Sequence, residues 1–203
     1  MATAYDNFTD TAATLLNSHT ADTGQTWASA PSNSGNMYIY TNGVELQSRG
    51  DGTDSHYSSF VPATAEYDVT ISLSNTASGT LSVIASFRQS TSVDTVYRGF
   101  WNGYGPYWEL RRIVAGSSTT LATAGGNSPV GTTGNLKFEG RDATKKLFWG
   151  ATELLSNTDN TITDAGRPGV RGGDAGSSRI TYWEAVDVAG GGTGNPWNYY
   201  AQC

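Results

Sequence analysis

The sequence predicts an all-β fold of antiparallel strands packed as a sandwich or barrel, and three observations carry that expectation. The run from Tyr107 to Val114 sets Tyr107, Glu109, Arg111 and Ile113 in alternation with Trp108, Leu110, Arg112 and Val114, the period of a strand with two unlike faces. Ala115-Gly116-Ser117-Ser118 then supplies a tight turn, and Thr119-Thr120-Leu121-Ala122 restarts an extended run, so the segment reads as a β-hairpin. The composition agrees: charged residues are only 15%, and 25 Gly, 6 Trp, 11 Tyr and 6 Phe replace the Ala/Leu/Glu/Lys texture of helices. Turn signals also recur at short, regular spacing along the whole chain. A chain of 203 residues is long enough for one substantial core, burying about 70% of its unfolded surface.

Taken in order, Met37-Tyr38-Ile39-Tyr40 and Val44-Glu45-Leu46-Gln47 are short strands joined at Thr41-Asn42-Gly43, where Asn-Gly favours positive φ. Ser55 to Val61 is a third, stopped by Pro62. Tyr67 to Leu73 alternates cleanly, with Tyr67, Val69, Ile71 and Leu73 on one face. Leu81 to Arg88 and Val96 to Trp101 precede the hairpin. Leu136 to Glu139, Lys146 to Trp149, Gly169 to Arg171 and Ile180 to Val186 complete roughly a dozen strands. Thr11 to Leu16 has room for a single helical turn. Periodicity ends near Val188, giving a domain over residues 1–189 and, over 190–203, a Gly-rich linker with an aromatic tail.

A net charge of −6 and a pI near 4.7 oppose a broad phosphate-binding face, which excludes nucleic acid as an expected partner. The single cysteine, Cys203, is the last residue, so no intramolecular disulfide and no cysteine metal site is expected. No apolar run approaches the ~20 residues of a membrane span, and the N-terminus lacks the pattern of a signal peptide. A Ser/Thr/Gly/Tyr/Trp texture with only three lysines, Lys137, Lys145 and Lys146, nevertheless suits an exterior setting. A virion component made in the host cytoplasm and displayed outside reconciles these two traits.

Asp6-Asn7-Phe8-Thr9-Asp10, His19 to Trp27, Tyr97-Arg98-Gly99-Phe100, Tyr107 to Arg112 with its hairpin, Lys146-Leu147-Phe148-Trp149-Gly150, Thr158-Asp159 and Gly166 to Val170 follow one another as in a known superfamily. Over about Asp6 to Val188 the chain resembles the concanavalin A-like lectin/glucanase superfamily, and within it the laminin-G-like jelly rolls of bacteriophage structural proteins. That resemblance implies an antiparallel two-sheet jelly-roll sandwich in which Trp27 enters the core. The last strand, Ile180 to Ala185, departs from the pattern in lacking an Asp before the aromatic residue.

Glucanases of this superfamily carry two closely spaced glutamates on one strand. Here no two of Glu45, Glu66, Glu109, Glu139, Glu153 and Glu184 lie two or four positions apart, and Glu66 has only Asp68 at that spacing, so no enzyme activity is expected unless Glu109 and Glu139 meet across strands. His19 and His56 belong to no nucleophile or zinc pattern and read as loop or surface residues. Asp51 and Asp54, in Asp51-Gly52-Thr53-Asp54, are weak calcium candidates, and otherwise no cofactor is expected. Trp101, Asn102, Tyr104, Tyr107 and Trp108 form the candidate glycan-binding set, because sugar C–H patches stack on aromatic faces while amide and guanidinium groups read hydroxyls. Trp197, Tyr199 and Tyr200 are candidates for docking to other virion proteins or to a second copy. The expectation is a non-enzymatic virion decoration or appendage subunit, with a carbohydrate-binding module for host-surface glycans as the alternative.

Overall fold

The computed structural model describes residues 2–33, 35–40, 43, 45–48, 54–75, 84–89, 92–103, 105–126, 128–172 and 179–188, with backbone alone at 48, 54, 75 and 84–89. Its strands are β1 (Thr3–Asp6), β2 (Trp27–Ser29), β3 (Met37–Ile39), β4 (Leu46–Ser48), β5 (Asp54–Ser58), β6 (Tyr67–Asn75), β7 (Ile84–Gln89), β8 (Val96–Asn102), β9 (Tyr107–Val114), β10 (Ser117–Gly125), β11 (Gly134–Arg141), β12 (Thr144–Trp149), β13 (Thr152–Thr158), β14 (Arg167–Gly172) and β15 (Arg179–Asp187). The first sheet has the order β13-β12-β11-β6-β15-β4-β3, with β1 also paired to β15, and the second runs β10-β9-β8-β7-β14-β5-β2. Every strand pair is antiparallel. The all-β, two-sheet sandwich expected from the sequence is the fold observed.

The alternation that marked the strands is what seals the sandwich. In β6, Tyr67, Val69, Ile71 and Leu73 are at most 1% exposed, while Asp68, Thr70 and Ser72 between them are half-buried on the other face. β6 therefore lies at the centre of the first sheet, flanked by β11 and β15. Its apolar face belongs to one core with Trp27, Tyr97, Trp101, Trp108, Leu110 and Val170 from the second sheet, and each such side chain contributes about 1.5–3 kcal/mol by leaving water. Among the described residues two ring contacts cross between sheets: Trp27 meets Trp183 edge-on at 4.9 Å between centroids, and Trp108 meets Trp149 at 5.7 Å. At Gly99 the two sheets approach so closely that a Cβ would run into the Cδ1 atom of Leu147.

Turns close where the sequence placed them. Ala115 and Gly116 take φ of 48° and 81°, the paired left-handed geometry of a two-residue hairpin between β9 and β10. Gly43 has φ 73° in the β3–β4 hairpin, where its N–H donates to Tyr40 O at 2.8 Å. Three strands had not been expected: β1, β2 and β13. The helical turn is a single 3-10 turn at Leu16–Ser18, later than Thr11 to Leu16.

Two polar networks, one buried and one half-buried, pin the chain outside the sheets. Asp6, fully buried, accepts from Trp27 Nε1 at 2.8 Å and Phe8 N at 2.7 Å, and lies 3.0 Å from His19 Nε2. His19 Nδ1 is 2.9 Å from Asp10, so the imidazole bridges two carboxylates. At another edge, Asp159 accepts from the Tyr97 hydroxyl and, at 2.5 Å, from Arg112 Nη1, while Tyr97 Oη accepts from Ile162 N at 3.2 Å. These bonds tie the segments 6–27 and 159–162 to the sandwich.

Candidate functional site on the outward face of the second sheet

Strand parity decides which side chains of the second sheet look outward. Tyr97 and Trp101 of β8 and Trp108 and Leu110 of β9 belong to the core, so Arg98, Phe100 and Asn102 and their neighbours Tyr107, Glu109, Arg111 and Ile113 take the opposite face. Cross-strand register aligns them in rows: Arg98 with Arg111 and Thr120, Phe100 with Glu109 and Thr123, and Asn102 with Tyr107 and Gly125. On β14, Val170 is in the core, so Arg171 faces outward beside Ser55. Arg167 lies over the Tyr57 ring with 5.7 Å from Cζ to the centroid.

Glu109 is the acid of this face among the described residues. Although outward-facing, it is 1% exposed: Arg111 Nε donates to its Oε1 at 2.6 Å and Thr120 Oγ1 donates to the same oxygen at 2.8 Å. Arg111 in turn spreads over Phe100, 5.0 Å from Cζ to the ring centroid. Arg98, one row along, is 5% exposed, and its Nε has no hydrogen-bond partner. The row continues from Arg98 through Ser86 to Gly169 and Tyr57. No residue with a side chain fits at Gly169, where a Cβ would strike the carbonyl oxygen of His56.

The candidate stacking rings are divided by the same parity. Trp101 and Trp108 are 2% and 1% exposed and meet edge-on at 5.2 Å inside the sandwich, so they present no ring face to a sugar and the expectation is corrected for both. Asn102 and Tyr107 are half-buried on the outward side, and Asn102 Nδ2 donates to Tyr107 Oη at 3.0 Å. Tyr104 lies outside the described residues, as do Asp51, Trp197, Tyr199 and Tyr200. Asp54 opens β5 opposite Gly172. Among the described residues, no group of His, Cys, Asp and Glu is arranged to hold a metal.

Glu109 and Glu139 do not meet. Glu139, on β11 of the first sheet, is bound by Lys137 Nζ at 2.5 Å and aligns with Asp68 and Lys146, whereas Glu109 belongs to the other sheet. The residues that sequence reasoning passed over are Arg98, Arg167, Arg171 and Tyr57. They sit far apart in the chain, and only the strand order β8-β7-β14-β5 assembles them.

The two histidines differ. Burial alone would lower the His19 pKa, but hydrogen bonds and charge from Asp6 and Asp10 outweigh it and hold it at about 8. The hydrogen bond from His19 in turn holds Asp10 below its usual range. His56 is 1% exposed with its Nδ1 unpartnered, and burial pushes it down to about 4. Neither lies on the arginine-bearing face.

No protein-family profile and no curated protein sequence matches the chain. Solved structures do. Carbohydrate-binding module CBM66 from Bacillus subtilis is similar with a TM-score of 0.62 at 15% identity, over 77% of this chain and 91% of that one. The VIP36 exoplasmic/lumenal domain in its Ca2+/Man3GlcNAc-bound form gives 0.61 at 10% identity, over 85% and 86%. The Bacillus licheniformis β-glucanase gives 0.58 at 11% identity, over 93% and 99%. At such identities the likeness establishes the fold, a concanavalin A-like lectin/glucanase jelly roll.

Proposed function

We propose that this chain is a non-enzymatic carbohydrate-binding module whose ligand lies across the outward face of the second sheet. The observation that carries this reading is the make-up of that face: the half-buried rings Tyr57 and Tyr107 share it with Arg98, Arg111, Arg167, Arg171 and Asn102 over neighbouring strands. Rings of this kind stack on sugar C–H faces, and guanidinium and amide groups donate to hydroxyls. The fold is shared with a carbohydrate-binding module and with a domain crystallised with a mannose-containing oligosaccharide, which supports the reading.

Catalysis is left out of the proposal because glycoside hydrolysis uses two carboxyl groups about 5–9.5 Å apart. Among the described residues this face offers Glu109, whose Oε1 is already held by Arg111 and Thr120. A glycan array probed with the full chain tests the reading: specific binding is expected, lost in the double variant Tyr57→Ala/Tyr107→Ala but kept in Tyr5→Ala on the first sheet. Binding that survives the double variant would move the site elsewhere, and a blank array would sink the carbohydrate reading.

A further inference from the structure

The two outer faces of the sandwich are charged in different ways. On the first sheet each of three cations has an acidic partner: Lys137 with Glu139, Arg141 with Asp68, and Lys146 with Glu153. On the second sheet Arg98, Arg111 and Arg167 share their face with one carboxylate, Glu109, leaving these groups two charges positive. This happens in a chain with 18 acidic and 12 basic residues. A cationic patch on an anionic protein is not a by-product of composition.

Arg98 makes the point sharper. It is 5% exposed, its Nε has no acceptor, and among the described residues it enters no ion pair. Glu109, one row away, is committed to Arg111 through a 2.6 Å bond. Withdrawing a guanidinium from water without a counter-charge is costly unless an anion arrives to complete it. Its planar fork of donors matches the two oxygens of a carboxylate or a sulfate.

We propose that the glycan taken by this face is anionic, a uronate-bearing or sulfated polysaccharide whose oxyanion seats against Arg98 with Arg111 and Arg171 on either side. The proposal rests on the carbohydrate-binding reading above and names the ligand class of the same site. It assigns Arg98 to the oxyanion and the half-buried rings of Tyr57 and Tyr107 to the sugar. Nucleic acid shares the charge, but a handful of arginines in a chain with 18 acidic and 12 basic residues lacks the clustered Lys and Arg that a broad phosphate contact needs.

Calorimetric titration of the full chain separates the possibilities, with four ligands of equal length: an oligouronate, its carboxyl-reduced neutral counterpart, a sulfated oligosaccharide and a single-stranded DNA. The expected result is that the uronate or the sulfated sugar binds about tenfold or more tightly than the neutral one, the better of the two naming the oxyanion. That affinity should weaken as ionic strength rises from about 0.05 M to about 0.5 M, where exposed charges are screened within a few ångströms. Arg98→Gln should cost about tenfold or more, and the half-buried Arg171→Gln several-fold, while Arg141→Gln on the opposite face should change nothing. Because Arg98 is buried, near-UV circular dichroism of its variant checks folding, and Arg171→Gln carries the test independently. Equal binding of the neutral sugar would overturn the anionic assignment and leave the carbohydrate reading standing. No binding of any sugar would remove both. Equal binding of the DNA, or anionic binding that survives Arg98→Gln and Arg171→Gln, would also overturn the proposal.

Discussion

His19 and His56 pull the stability of this domain in opposite directions with pH. The folded state raises His19 from 6.5 to about 8, so its contribution is complete below pH 6.5 and disappears as pH climbs through 8. A shift of that size corresponds to about 2 kcal/mol. His56 is driven from 6.5 to about 4 by burial, so the unfolded chain binds a proton that the folded chain refuses, and stability falls as pH drops from 6.5 toward 4, by about 3 kcal/mol. The two together place the maximum near pH 6.5. Below pH 4 the loss deepens, because Asp10 and Asp159, both held below their usual range, must then take up protons. Urea unfolding from pH 4 to pH 9 reads this curve directly. His19→Gln should flatten the alkaline limb, and His56→Gln should flatten the limb between pH 4.5 and 6.5. Stability that stays level from pH 6.5 to 9, or an alkaline decline that persists in His19→Gln, would refute the assignment of a charged imidazole between Asp6 and Asp10.

Three further outcomes are expected. Gly99→Val should destabilise the domain by about 1–3 kcal/mol, since the side chain of Leu147, fully buried in the core, must move aside; an unchanged melting temperature would mean Leu147 repacks without cost. Removal of residues 190–203 should leave the melting temperature unchanged, because Asp187 N bonds Ala2 O, Val188 N bonds Glu66 O, and these bonds close the sandwich before the tail begins; a sharp drop would place the tail aromatics in this domain's own core. Incubation with β-glucans and uronate polysaccharides should release no reducing sugar, and sustained turnover abolished by Glu109→Gln would defeat the non-enzymatic reading.

Much of the fold was legible because strand parity is written in side chains of unlike character. Tyr67, Val69, Ile71 and Leu73 announced both a strand and its buried face, and Ala115-Gly116 announced the turn that followed β9. β1 escaped notice because its four residues bury only Ala4 and Asp6, an alternation in which one inward position is a carboxylate. β13 escaped because its register with β12 shifts between Leu147 and Phe148, which breaks the period. The candidate site was half legible. The string from Trp101 to Trp108 looked like one aromatic patch, yet alternation on the two strands sends both tryptophans inward and Tyr107 outward. Arg98 and Arg171 are 73 residues apart in the chain, and no local pattern connects residues whose proximity is created by strand order alone.

The pairing of the first strand with the last has a kinetic meaning. Thr3 aligns with Val186 and Asp6 with Trp183, so the opening residues of the chain wait for nearly all the rest before they find their partner. Joining ends this far apart carries a loop-closure penalty that is repaid only when both sheets are already assembled. During synthesis, Asp6 therefore emerges long before Trp183, and β15, wedged between β6 on one side and β1 and β4 on the other, arrives as the final board in the first sheet. Folding of this jelly roll is accordingly a late, concerted closure, slow as non-local β topologies are, and β15, made long after β1, decides whether β1 is ever put to use.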